Sequence, residues 1–320
     1  MKQVKFKKPN LNKDRAQRLI NKIFKDSKIT SYKKLEGGLV HSTFKVKISN
    51  PKKDIVVRLS KRKNLDRVTK NNRILDYLNK NKIPAPKIYL QQFYHGQLIT
   101  VMEFLKGEDA EKAYKTAKQE KRKVILKDVG RILHKIHKLQ IPKFWTHQKH
   151  EIKNKQEWLR WTKKRIIKYL DFVRLFLPKY YDYLKNELED FQNILSSDKY
   201  KIQLVPLHWD YHLANMNVNS EGKVTGVFDF DNCMKGHNLA DMGQTEYWMW
   251  FRMENPDNFK YFLGGYKKNF TKNEIKLIHG YFLLHMIAVT RTIWRKQPRL
   301  TWIIEEHKKI LDNLMSYKRI

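Results

Sequence analysis

Leu207-His208-Trp209-Asp210-Tyr211-His212-Leu213-Ala214-Asn215 carries an acid and an amide five positions apart, and Asp229-Phe230-Asp231 begins fourteen residues after that amide. The flanks decide what the spacing means. Gln203 to Leu207, Met216 to Val218 and Val224 to Phe228 are short apolar runs, with Glu221-Gly222 punctuating the last two. Such runs bounded by turn residues read as strands. Asp210 and Asn215 therefore fall on a loop between strands, and Asp229 at a strand's end. By itself an Asp and an Asn at this spacing says little, because both residues form turns and cap helices. In this strand–loop–strand frame it says more. A loop carboxylate can sit against an attacking hydroxyl, while an amide oxygen and a second carboxylate hold a hard cation. Phosphoryl transfer asks for those parts, since positioning and charge neutralisation supply most of its catalysis.

Working outward, Leu35 to Val46 reads as strand, turn and strand around Gly37-Gly38. Paired glycines let backbone N–H groups approach phosphates with no Cβ in the way. The same pair also suits an ordinary hairpin. Asp54-Ile55-Val56-Val57-Arg58-Leu59 alternates like a strand and carries a cation in its middle. Ile83-Pro84-Ala85-Pro86 is extended, because each proline restrains the residue before it, and it leads into a strand over Gln97 to Phe104. Apolar spacing predicts helices over Asn64 to Lys80, Lys123 to Leu139, Lys272 to Trp294 and Thr301 to Leu314.

His208-Trp209-Asp210 to Asn215, Gly226 to Asp231 and Gly236-His237-Asn238-Leu239-Ala240-Asp241 together resemble the signature of the aminoglycoside phosphotransferase and choline kinase superfamily. The resemblance runs from about Leu35 to Tyr266. It implies an α+β, bilobal, protein-kinase-like fold, with a small N-terminal antiparallel sheet lobe over residues 1–104 and a larger, mainly helical C-terminal lobe over 105–320. It implies Asp210 as catalytic base, Asn215 and Asp229 as Mg²⁺ ligands with Asp231 assisting, and Asp241 as a buried carboxylate bracing the catalytic loop. His208 and His137 become structural residues. Gly37, Gly38 and Arg58 would cradle the phosphates of ATP, and Val101 to Gly107 would form the hinge whose backbone, at Glu103 and Leu105, reads the adenine edge. Two positions depart from the pattern. Trp209 stands where a small or polar residue is usual, and Asn71 stands where a Glu normally orients the phosphate-binding cation. The second departure motivates an alternative, a weak or inactive nucleotide-binding relative with a regulatory role.

The 320 residues carry 67 Lys and Arg against 32 Asp and Glu, a formal charge of +35. A basic surface raises affinity for polyanions through counterion release, so a nucleic-acid-associated protein is a further alternative. The lysines are spread along the whole chain, however, in a composition rich in Asn, Ile and Tyr. That is the mark of AT-rich coding, and a solvated surface is the better reading. A single cysteine, Cys233, excludes an intramolecular disulfide and a cysteine-based zinc site. Met1 to Lys8 is polar and no apolar run reaches membrane-spanning length. A reducing cytoplasm without membrane insertion is the expected setting.

The acceptor is the least legible part. Gln244 to Phe251 is dense in aromatics, and on a helix Tyr247, Trp250 and Phe251 share a face. Aromatic faces hold quaternary ammonium groups, but a stripe at helical spacing is more often core. The expected acceptor is a small-molecule hydroxyl: choline or another amino alcohol first, then a sugar or aminoglycoside, then thiamine.

Overall fold

The structure, a computed structural model, describes residues 11–35, 41–61, 65–94, 97–146, 152–253 and 255–316. The chain divides into two compact units, one of residues 1–107 with 225–231 and one of 108–224 with 232–320.

In the first unit, α1 (Lys13–Asn21) starts at Asn12, whose Oδ1 accepts a hydrogen bond from Arg15 N at 2.9 Å. That side-chain acceptor satisfies one of the amides a helix start leaves over. Five strands follow: β1 (Ile29–Lys34), β2 (Ser42–Ser49), β3 (Lys52–Lys61), β4 (Ile88–Tyr94) and β5 (Gln97–Glu103). They pair antiparallel in the order β1-β2-β3-β5-β4. Side chains alternate across a strand, so Phe44, Val46 and Ile48 of β2 share a buried face with Ile55, Val57 and Leu59 of β3. Ala16, Leu19 and Ile20 of α1 join them in one apolar cluster. Arg58 lies between Val57 and Leu59 and opposite Thr43 and Thr100. The alternation therefore sends it to the other face of the sheet. Helix α2 (Leu65–Lys80) follows β3 and buries Val68, Ile74, Leu75 and Leu78, with Asn71 and Asn72 buried among them. Residues 225–231 return to this unit, where Val227 N donates to Pro84 O at 2.9 Å and Thr225 Oγ1 donates to Lys106 O at 2.6 Å.

The second unit is mainly helical. It contains β6 (Glu108–Asp109), α3 (Ala110–Thr116), α4 (Gln119–His137), α5 (Lys155–Phe176), α6 (Tyr181–Ser196), β7 (Leu204–Leu207) and β8 (Met216–Val218). After β9 (Val224–Val227), which leads into the returning segment, come β10 (Met234–His237), α7 (Leu239–Arg252), α8 (Phe259–Tyr266), α9 (Lys272–Lys296) and α10 (Thr301–Ser316). Strands β7 and β10 pair antiparallel with Leu207 opposite Met234, which fixes where the loop after Leu207 begins. Asn154 and Thr271 cap α5 and α9 through their side chains, the latter in a full capping box with Glu274. From the aromatic stripe of α7, Tyr247 belongs to the core: it is fully buried, stacks on Phe251 at 5.5 Å, and pairs through its hydroxyl with His307 Nε2 at 2.9 Å, whereas Trp250 and Phe251 are half-buried.

Helices α4 and α8 meet backbone to backbone. A Cβ on Gly265 would lie 2.0 Å from Lys127 O, and one on Gly130 would lie 2.1 Å from Phe262 O. Neither neighbour is a flexible side chain, so the helices would have to separate. Gly265→Ala is expected to cost about 1–3 kcal/mol, the range for overpacking a tight contact. Gly264→Ala, whose Cβ would meet nothing within 4 Å, should be close to neutral. Urea melts of the two variants make the comparison.

Three histidines of this unit are buried in neutral form. Burial pushes His237 down to about 3, His285 to about 4 and His307 to about 3. Above the ordinary histidine pKa of about 6.5 they are neutral in both folded and unfolded chains and contribute no pH dependence. Below it the unfolded chain binds protons that the folded one refuses, so stability falls with falling pH. The thermal midpoint is expected to drop steadily between about pH 6.5 and 4, as thermal melts across that range would record.

Candidate active site

In the second unit the loop expected to carry the catalytic base hangs from one carboxylate. Asp241, fully buried in the first turn of α7, accepts hydrogen bonds from His208 N and Trp209 N, each at 2.8 Å. The Nε2 of His137 pairs with the same carboxylate at 3.1 Å, and His137 Nδ1 pairs with Tyr266 Oη at 2.9 Å. A buried carboxylate is tolerated only when its oxygens are satisfied in this way. The clamp also explains a strained backbone. Trp209 has φ +61, a left-handed conformation that costs a side-chain-bearing residue about 1–2 kcal/mol. Two amide–carboxylate bonds offset that cost. Further along, Tyr211 Oη donates to Val129 O and Thr245 Oγ1 donates to Tyr211 O, at 2.8 and 2.9 Å.

Asp210 sits between these anchors. Asn215, at the end of a short 3₁₀ turn over Leu213–Asn215, donates its Nδ2 to Asp210 O at 2.9 Å. That Nδ2 also lies 3.2 Å from His212 Nε2, which is in turn 3.4 Å from Asp210 Oδ1. With the amide nitrogen committed, Oδ1 is the atom Asn215 has to offer a cation. Burial pushes the Asp210 carboxyl up, but the hydrogen bond and charge of His212, with His208 and His285 behind it, hold it below its ordinary value.

The first unit gathers the other expected residues. Arg58 is desolvated, which lowers its pKa, and the opposing attraction comes from Asp231 and then Asp229. Its Nη2 donates to Asn72 Oδ1 at 3.2 Å, and Asn72 Nδ2 donates to Thr100 Oγ1 at 3.2 Å. The sequence points to Asn71 as the amide that would meet this cation; in the structure that amide is Asn72. Asn71 instead accepts from Phe230 N at 2.9 Å. It thereby pins the turn in which Asp229 adopts φ +69. Asp231 Oδ2 lies 3.4 Å from His41 Nε2, and His41 Nδ1 pairs with Ser60 Oγ at 2.8 Å. Burial pushes the Asp231 carboxyl up, while His41 and Arg58 bring it below the ordinary range. Its Oδ1 is buried without a hydrogen-bond partner.

Glu103 ends β5, its Oε2 accepting from Lys87 N at 3.3 Å, and the Leu105 side chain packs on Gly226, leaving no room there for a Cβ. Gly37 and Gly38 lie outside the described residues. Three residues of these networks escape a reading of the sequence: Asn72, His41 and His212. His212 had a signal in its place two residues after Asp210. Asn72 had none, because two adjacent amides on a helix do not declare which one turns inward.

Solved structures similar over nearly the whole chain include a GDP complex of an aminoglycoside 2′-phosphotransferase of type IIIa, with TM-score 0.67, 14% identity, and coverage of 94% of this chain and 97% of that one. Spectinomycin phosphotransferase APH(9)-Ia, solved with AMP, gives TM-score 0.61 at 14% identity over 97% and 100% of the two chains. ADP-bound aminoglycoside phosphotransferase APH(2″)-Ib gives TM-score 0.59 at 19% identity over 94% and 97%. These likenesses establish the protein-kinase-like fold. Among curated proteins no sequence matches the chain. The model of the phosphotransferase enzyme family, however, matches residues 31–273, well over half of the chain. On that match the chain belongs to the APH phosphotransferase enzyme family.

Proposed function

We propose that the chain transfers the γ-phosphoryl group of Mg-ATP to a hydroxyl of a small molecule. The observation that carries the reading is the Asp241 clamp. It fixes a loop carrying a half-buried carboxylate with an amide beside it, the arrangement phosphoryl transfer needs. The hydroxyl oxygen attacks the γ-phosphorus, the bond to the ADP oxygen breaks, and the hydroxyl proton leaves toward Asp210. A carboxylate held below its ordinary pKa is a weak base at the start of that process. Its first task is to orient the hydroxyl, and it receives the proton as the new bond forms.

The residues fit magnesium. Asn215 Oδ1, Asp229 and Asp231, whose Oδ1 is a buried orphan, are hard oxygen donors. Among the described residues no cluster of three or more His, Cys, Asp or Glu forms a metal cage. Mg²⁺ does not need one, since it takes one or two carboxylates and completes its sphere with phosphate and water. When bound it would neutralise charge on the phosphates. Arg58 binds the α- and β-phosphates, and its fork can do so bidentately. Asp231 and Asp229 supply the counter-charge that a carboxylate at position 71 would otherwise give, so Asn71 is no argument for a dead enzyme. Glu103 to Leu105 present backbone to the adenine. Among the described residues no helix is long and apolar enough to cross a membrane, and with a single cysteine this supports a cytoplasmic setting.

Release of ADP from Mg-ATP is the test, measured over amino alcohols, sugars, aminoglycosides and hydroxy acids. Acceptor-dependent turnover is expected, and Asp210→Ala should reduce kcat by about 10²–10⁴-fold. Nucleotide binding with no acceptor-dependent release above the variant would count against the proposal.

His212 generates a pH prediction. It keeps Asp210 ionised against the upward push of burial, so activity is lost only as pH falls through a depressed pKa. Without that partner the pKa rises. The acid limb of the kcat/KM profile of His212→Ala should move to higher pH, with circular dichroism confirming that the variant stays folded at each point.

A further inference from the structure

A cavity of about 150 Å³ lies wholly within the second unit, beside the Asp210 loop. Its walls are Trp161 and Arg165 from α5, Trp209 from the loop, Gln244 from α7, and Tyr281 and His285 from α9. Trp209 directly precedes Asp210, and the His285 imidazole feels the Asp210 charge. A volume near 150 Å³ is enough for one benzene-sized ring.

Several polar groups in this cavity have hydrogen-bonding or charge capacity left unused. Among the described ion pairs, two other arginines of the unit meet carboxylates: Arg131 lies 2.8 Å from Asp128 and Arg252 3.1 Å from Glu111. Arg165 has none. Its guanidinium lies 3.9 Å over the Trp161 ring and 6.0 Å from that of Trp209, and its Nη1 donates to Tyr169 Oη at 3.2 Å. Burial pushes its pKa down, opposed only by Tyr169. An unpaired, desolvated guanidinium is costly and cannot shed its proton to escape. Gln244 Oε1 and His285 Nε2 are likewise buried without a hydrogen-bond partner. A guanidinium with no carboxylate partner and two unsatisfied polar atoms around one small cavity are the complement of a ligand.

The indoles give the rest of its shape. Trp161 and Arg165 are one helical turn apart and share a face. Trp209 meets Trp161 edge-on at 5.6 Å. Its indole reaches the cavity from a backbone conformation that disfavours any side chain, so the strain is spent where acceptor recognition would need it.

Resting on the phosphotransfer reading above, we infer that this cavity receives the acceptor, and that the acceptor carries an anionic group, carboxylate or phosphate, on a body about the size of one planar ring. Arg165 pairs with the anion, Trp161 and Trp209 flank the ring, and Gln244 and His285 hydrogen-bond its polar substituents. A cation here would meet Arg165 with no carboxylate lining the cavity to hold it. Choline, amino alcohols and aminoglycosides, the acceptors the sequence brings first to mind, are therefore disfavoured.

The test uses a matched set of benzyl alcohols: meta-hydroxymethylbenzoate, meta-hydroxymethylphenyl phosphate, and the corresponding neutral benzamide and cationic benzylamine. Binding to the wild-type protein without ATP is followed by tryptophan fluorescence. One or both anions should bind about tenfold or more tighter than the neutral and cationic analogues, as one charge-assisted pair allows. Which anion wins separates a carboxylate acceptor from a phosphate one. Arg165→Met, which keeps an apolar stem against Trp161, should erase the charge preference, and Arg165→Lys should retain part of it. Because the preference is a ratio within one protein, a general loss of folding cannot imitate it. No saturable binding by either anion, a preference for the benzylamine, or a preference unchanged in Arg165→Met would overturn the inference. Turnover of the same compounds with Mg-ATP separates the two readings. Phosphorylation of the benzylamine alone, lost in Asp210→Ala, would overturn the anionic acceptor and leave the phosphotransferase standing.

Discussion

Two backbone amides and one imidazole converge on the carboxylate of Asp241, out of reach of water, and the geometry of the second unit around Asp210 follows from that meeting. The carboxylate belongs to the first turn of α7, where the helix dipole favours negative charge. His137 ends α4, and the loop follows β7. One buried anion thus ties a helix start, a helix end and a strand end together. Removing it would leave two amides and a histidine unsatisfied in the interior, a heavier cost than the loss of any single pair. The clamp acts on the main chain, so what it fixes is the direction in which Asp210 leaves the loop.

The first unit solves a similar problem with amides. Asn71 and Asn72 are neighbours on α2, both buried, yet they serve different masters: one holds the Phe230 amide beside Asp229 and the other meets Arg58. Arg58 in turn draws its compensating charge from Asp231 and Asp229. The cation is thereby coupled to the same carboxylates that are proposed as metal ligands. Binding of Mg²⁺ would draw on those carboxylates and loosen their hold on Arg58, a coupling between cation and metal that a separate carboxylate on the helix would not create.

Much of this was legible because the signals were local. The strands around Asp210 and Asp229 and the helices now seen as α2, α4, α9 and α10 follow from alternation, helical spacing and turn residues, while the α+β architecture came with the family resemblance that the motifs carry. Other parts depend on side chains meeting from far apart in the chain. Nothing in the order of residues says that Asn72 rather than Asn71 turns to Arg58, or that Arg165 and His285 line one cavity with Trp209. Helix α5 is a different case. Its buried Trp158, Thr162, Ile166, Tyr169 and Val173 keep helical spacing, but the dense lysines between them draw the eye to charge first.

The strained tryptophan has one more consequence. The loop is held by its amides, which every residue except proline possesses, and not by the indole. Position 209 is thus detached from the machinery that aims Asp210. Selection could exchange the side chain there, and its companions at 161 and 165, without disturbing the phosphoryl-transfer chemistry. Glycine would even relax the backbone. A scaffold wired in this way can change diet while keeping its teeth, and diversification of acceptors would be concentrated in these few wall positions.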